Sequence, residues 1–129
     1  MSYVAFIVAA PLVLLIGLQI AMNFQLKRSK GKPVPALSPE LDAEVAKGGK
    51  LLLYFFSPSC GPCRAMKPDV DKVSAEDKRL RPVDVSRTPE VAMRLGVMGT
   101  PSLVLLDRGL IADVRMGVQR EAALRELLA

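Results

Sequence analysis

The only two cysteines of this chain lie three residues apart, in Cys60-Gly61-Pro62-Cys63. Thiols at that spacing sit one helical turn apart and can carry two electrons as a dithiol and a disulfide. Directly before them the apolar run 50–56 reads as a buried strand, and residues 64–73 read as a helix with apolar positions at three-to-four spacing. The pair therefore falls where a strand hands over to a helix. Free backbone N–H groups and the positive end of the helix dipole at such a point favour a thiolate. Cys60 is the expected nucleophile and Cys63 the resolving thiol.

Competing uses of a cysteine pair fit poorly. A c-type haem site needs a histidine straight after the second cysteine, but Arg64 stands there and the chain has no histidine. Structural zinc needs four ligands, so two thiols would require dimerisation or added carboxylates. A disulfide closing so short a loop removes little chain entropy, which argues against a purely structural bridge. Redox chemistry on the cysteines themselves, with no metal and no other cofactor, is the expectation.

Residues 55–64, Phe-Phe-Ser-Pro-Ser-Cys-Gly-Pro-Cys-Arg, resemble the active-site segment of thioredoxins. Residues 96–105, Gly-Val-Met-Gly-Thr-Pro-Ser-Leu-Val-Leu, resemble that family's second landmark, a loop ending in a proline that enters the next strand. The resemblance runs from about Leu37 to Leu128. It implies a cis Pro101 facing the disulfide, with the backbone of Thr100 pairing an extended substrate segment next to Cys60. Gly61 and Pro62 join that substrate-contact surface. Met98, in the same loop, is left open between substrate contact and packing.

The match has gaps. Thioredoxins commonly bury an aspartate six residues before the first cysteine, and this chain has Tyr54 there. A lysine often found near that aspartate aligns with Pro82. The usual proton relay is thus not carried over, because a tyrosine is a poor base at neutral pH. Proton removal from Cys63 falls to water or substrate groups. Phe56 and Ser59 stand where two tryptophans usually flank the site.

The remaining elements follow from pattern. Ser38 reads as an N-cap with Pro39 at the first helical position, and Gly48-Gly49 closes that helix. Residues 81–85 read as a strand, 89–95 as a helix stopped by Gly96, and 102–106 as an apolar strand. Asp107-Arg108-Gly109 turns into a hairpin strand at 110–116, and a helix over 118–128 presents Val118, Ala122, Leu124, Leu127 and Leu128 on one face. Met66 and Met93 read as core fillers. That order predicts an α/β fold, a mixed central sheet covered by helices on both sides, as in thioredoxins.

Residues 3–26 carry no charge, and about twenty such residues span a bilayer as a helix. A cleaved signal would begin with basic residues and end in small ones, and this segment does neither. The expected organisation is a transmembrane anchor at 1–26, a basic, proline-rich linker at 27–39 acting as an extended spacer, and a thioredoxin-like domain at 40–129. Gln19 and Asn23 fall at the interfacial end of the anchor. The cluster Lys27-Arg28-Ser29-Lys30-Gly31-Lys32 follows it, and positive flanks stay cytoplasmic, which puts the domain in the cytoplasm of a bacterial-type cell. Resemblance to envelope thioredoxin-like proteins points to the periplasmic side instead.

Net charge is +5, with 18 basic and 13 acidic residues. Four of those positive charges form the membrane flank, so the domain is nearly balanced and no nucleic-acid partner is expected. The expected partners are protein disulfides, a thiol electron donor and the membrane, with the chain a monomer. The Gly-Pro dipeptide resembles that of reducing thioredoxins, so the expected activity is protein-disulfide reduction. A non-catalytic binding module, an exchange protein for cytochrome or metalloenzyme maturation, and metal delivery through the two thiols stand as alternatives.

Overall fold

A computed structural model describes residues 2–129, with the side chains of residues 22–29 left outside the description. In chain order the elements are α1 (Ser2–Ser29), α2 (Pro39–Ala46), β1 (Lys50–Phe56), α3 (Gly61–Glu76), β2 (Leu80–Asp84), α4 (Pro89–Arg94), β3 (Ser102–Asp107), β4 (Leu110–Met116) and α5 (Glu121–Leu128).

Strand β1 is apolar on both faces, so it can only lie inside a sheet that is covered twice. It does: the strand order is β2-β1-β3-β4, with β1 parallel to β2 and antiparallel to β3. Leu51, Leu53 and Phe55 point to one side, where they meet Leu41 of α2 and Val91, Ala92 and Leu95 from the α4 side. Leu52 and Tyr54 point to the other and meet Met66, Val70 and Val73 of α3 and Leu124, Leu127 and Leu128 of α5. The expected mixed sheet with helices on both faces is thus present.

Two details differ from the sequence pattern. Helix α5 starts at Glu121 rather than 118, because the Asp69 carboxylate on α3 accepts the Glu121 N–H at 3.1 Å and caps the helix from outside its own sequence. Val118 and Ala122 are consequently exposed, leaving Leu124, Leu127 and Leu128 as the buried face. Met93 is 74% exposed and is no core filler, whereas Met66 is fully buried. With only six residues, α4 turns Val91 and Ala92 inward and Met93 away from them. Arg108 and Gly109 both have positive φ (54° and 77°), the two-residue hairpin geometry whose twist matches that of the strands.

Residues Ser2–Ala21 of α1 form a helix long and apolar enough to cross a membrane, and among the described residues none buries it. Within the basic flank, Lys27, Arg28 and Ser29 lie outside the described side chains, as does Asn23.

Residues 31–34 of the stretch read as a spacer run antiparallel to β4. Gly31 N–H donates to the Ile111 carbonyl (2.7 Å), Ile111 N–H to the Lys32 carbonyl (2.9 Å), and Val34 N–H to the Gly109 carbonyl (2.9 Å). Beyond them Leu37 enters the core, and Arg94 donates to the carbonyls of Ala36 and Leu37. This pairing covers the start of an edge strand that would otherwise present unpaired backbone groups.

Lys30 adds an ion pair to Asp113 at 2.9 Å. Burial pushes the Asp113 carboxyl up, but bonds from Lys30 and Arg115 outweigh it and hold the group below the usual carboxylate range. A depressed folded pKa gives stabilisation that is present above the unfolded value, about 3.9, and lost as pH falls through the folded value. Acidification below about pH 4 is therefore expected to loosen the tether. Asp113→Asn should reproduce this at neutral pH as faster hydrogen exchange at Gly31 and Val34, and unchanged protection would refute it.

Candidate active site

Strand β1 ends at Phe56, and the turn 57–60 closes with Cys60 N–H donating to the Ser57 carbonyl at 3.2 Å. Cys60 then takes extended backbone geometry as the N-cap of α3, the position where a side-chain acceptor satisfies an orphan N–H of the first turn. Its Sγ accepts the Cys63 N–H at 3.2 Å. Pro62 falls in that first turn, where a missing N–H costs nothing.

Cys60 and Cys63 are joined as a disulfide, with Cα atoms 5.3 Å apart. Their environments differ in the way their expected roles require. Cys60 is partly exposed at the positive end of a sixteen-residue helix, while Cys63 is only 4% exposed. A sulfur held against helix N–H groups is the easier one to leave as thiolate.

The second landmark enters the sheet at the same end. Ser102, the first residue of β3, pairs with Phe55 near the end of β1. The Thr100–Pro101 peptide bond just before it is cis. This loop is pinned from both sides: Ser102 Oγ donates to the Gly99 carbonyl at 2.6 Å, and Gly117 N–H to the Pro101 carbonyl at 2.9 Å. Pro101 is buried, Thr100 partly exposed, and Gly61, Pro62 and Met98 exposed, Met98 by 79%. Exposure on that scale leaves Met98 without a packing role.

On the other flank of Cys63 lies a cavity of about 300 Å³. Tyr54, Phe56, Val70 and Pro82 give it apolar walls, and Cys63, Lys67 and Asp71 also line it. Tyr54 and Pro82 are register partners in the β1/β2 pairing, so the two positions where a buried acid and lysine were sought stand side by side. Pro82 is tolerated there because β2 is an edge strand. The Tyr54 hydroxyl donates to the Cys63 carbonyl at 3.4 Å, and its ring stacks on Phe56 with centroids 5.5 Å apart. Burial first, and the nearby Asp71 charge second, push the Tyr54 pKa above its ordinary value. At neutral pH it is therefore a neutral donor and no base.

Sequence reasoning missed this cavity and the Lys67–Asp71 ion pair at its wall (2.8 Å). A signal was present: Cys63, Lys67 and Asp71 recur every four residues and so share one side of α3. Among the described residues no cluster of three or more metal-ligating side chains occurs.

A strand leading to an N-capping cysteine, its buried partner one turn on, and a proline loop at the adjacent strand define a thioredoxin fold with a dithiol-disulfide centre. The thioredoxin family profile matches residues 33–129, and the chain belongs to that family. It is 33% identical to thioredoxin of Bacillus subtilis over 98 residues, 74% of this chain and 93% of that protein. Among solved structures, a variant thioredoxin of Halobacterium salinarum is 30% identical, with a TM-score of 0.64, covering 70% of this chain and 81% of that one. Thioredoxin of Fasciola hepatica is 29% identical at a TM-score of 0.62, covering 75% and 96%. As in the family at large, the electrons reside on the cysteine pair itself.

Proposed function

We propose that this protein is a membrane-tethered protein-disulfide reductase. The observation that carries the reading is the asymmetry of the pair: a partly exposed sulfur at a helix N-terminus, backed by a buried one a turn away. In the reduced chain the Cys60 thiolate attacks one sulfur of a substrate disulfide, forming a Cys60–substrate bond while the other substrate sulfur leaves and takes up a proton. Cys63, deprotonated, then attacks Cys60. The Cys60–Cys63 bond forms, the Cys60–substrate bond breaks, and the second substrate sulfur leaves as a thiol. Two electrons have moved to the substrate, and a thiol donor must return them.

In this reading the backbone of Thr100, before Pro101, pairs with an extended substrate segment, while Gly61, Pro62 and Met98 form the surface it lies against. Support comes from the pinned loop at the end of the sheet where the cysteines sit. Residues 1–26 act as the anchor and 40–129 carry the catalytic elements, with the Gly31–Leu37 part of the 27–39 linker laid against the domain. The basic flank supports a cytoplasmic domain, fed by the cytosolic thiol system.

Membrane preparations of the full chain, supplied with a dithiol donor, are expected to reduce insulin disulfides. The chain is expected to stay in the pellet after alkaline carbonate extraction, and a chain lacking residues 1–29 to appear in the supernatant. Release of the full chain would remove the anchor. With the disulfide reduced beforehand in both arms, a membrane-impermeant maleimide is expected to reach Cys60 only after lysis of intact cells; labelling before lysis would put the domain outside the cytoplasm.

A further inference from the structure

The second step of the exchange poses a problem that the structure makes specific. Cys63 is 4% exposed, and burial in apolar surroundings disfavours a thiolate. Tyr54, on the face of β1 that packs against α3, has its hydroxyl already donating to the Cys63 carbonyl, and Pro82 beside it has no titrating group. The proton on Cys63 therefore needs another exit, and its thiolate another source of positive charge.

The cavity supplies both. It opens next to Cys63 and, at about 300 Å³, has room for several waters, with the Tyr54 hydroxyl and the Lys67 and Asp71 side chains as polar partners. Lys67 lies one helical turn beyond Cys63 on the same side of α3, and both line this space. The charged groups around it are Arg64, Lys67 and Asp71, all from α3. Tyr54 from β1 is neutral, and β2 contributes only the uncharged Pro82. Of the two cations, Arg64 reaches back toward the Pro58 carbonyl (3.4 Å), whereas Lys67 pairs at 2.8 Å with Asp71, which lines the cavity with it.

We infer that Lys67 is a positioning residue for the resolving step: its ammonium, braced by Asp71, stabilises the Cys63 thiolate across the cavity, whose water carries the proton away. This rests on the exchange reading above. Water accepts the Cys63 proton, the thiolate attacks the Cys60 sulfur of the mixed disulfide, and the substrate sulfur leaves and is reprotonated from solvent. No further reductant or oxidant is needed. Asp71 limits the effect, because its own charge opposes the thiolate while it holds the lysine.

The test is a rapid-mixing time course of the reduced full chain in micelles with a disulfide-linked fluorogenic peptide. Both formation and decay of the Cys60–peptide mixed disulfide are followed from pH 5 to 10. A cation this exposed is screened by water and offset by its own carboxylate partner, so its removal one helical turn away is worth about half a pKa unit. Lys67→Met is therefore expected to move the pH profile of decay upward by about half a unit and to slow decay at neutral pH by about twofold, the lost thiolate being offset in part by its higher nucleophilicity. Lys67→Arg should restore the original profile, and Asp71→Asn should move it downward. An unchanged decay profile in Lys67→Met, or a Lys67→Arg chain as slow as Lys67→Met, would overturn the inference. Lys67 is 70% exposed, so these variants should keep the fold, which far-ultraviolet dichroism checks. Absence of any mixed disulfide in the parent chain would instead sink the exchange reading itself.

Discussion

Replacing Cys60 with serine is expected to drop disulfide reduction to the uncatalysed level, a loss of about a hundredfold or more, since a hydroxyl at neutral pH is no substitute for a thiolate nucleophile. Replacing Cys63 should do something different. The first attack remains possible, so Cys63→Ser is expected to stall as a stable adduct carrying the substrate on Cys60, visible as an added mass that a dithiol removes. The distinction follows from exposure. Cys60 is partly open and bonded to a helix N–H, while Cys63 is buried behind it. If Cys60→Ser reduced insulin at near the parental rate, or if the adduct formed on Cys63, the assignment of roles would be wrong.

The second large effect concerns the strand that delivers the site. Phe55 is wholly buried and packs with Leu53, Val83, Val104 and the residues of α2 and α4 on one face of the sheet. Phe55→Ala removes most of that side chain from a closely packed layer, and such truncations cost about 3–5 kcal/mol. A domain of this size is stable by only about 5–15 kcal/mol, so a large part of its stability should vanish. Urea unfolding in micelles, followed by far-ultraviolet dichroism, should show the midpoint fall sharply. Met93→Ala, at a methionine 74% exposed, should change the unfolding free energy by no more than about 0.5 kcal/mol. Equal effects from the two would contradict the placement of the core.

Much of this was legible from residue order. β1 and β4 fall where the pattern puts them, because an uninterrupted apolar run and a turn needing two positive-φ residues leave few alternatives. The cysteine pair was legible from its spacing, its place between a strand and a helix, and the resemblance of both landmark segments to thioredoxins. What was not legible depended on distant partners. No local rule says that the Asp69 carboxylate caps α5, so the start of that helix was read three residues early. A short helix such as α4 does not reveal which side it buries, and Met93 was placed inward on that account. The pairing of residues 31–34 with β4 was also hidden, since a proline-rich stretch reads as extended whether or not it is paired. The cavity beside Cys63 belongs to the same class. It exists because Tyr54 and Pro82 become neighbours only through strand register.

The central claim is that Cys60 and Cys63 form one reversible two-electron centre. Its most direct test equilibrates the full chain with dithiol-disulfide buffers of graded potential, quenches it with a maleimide, and counts labelled thiols by mass. The account predicts that two thiols appear together in a single transition, with the ratio of reduced to oxidised chain changing tenfold per about 30 mV. Cysteines that stay joined even in the most reducing buffers, or that titrate one at a time, would contradict it.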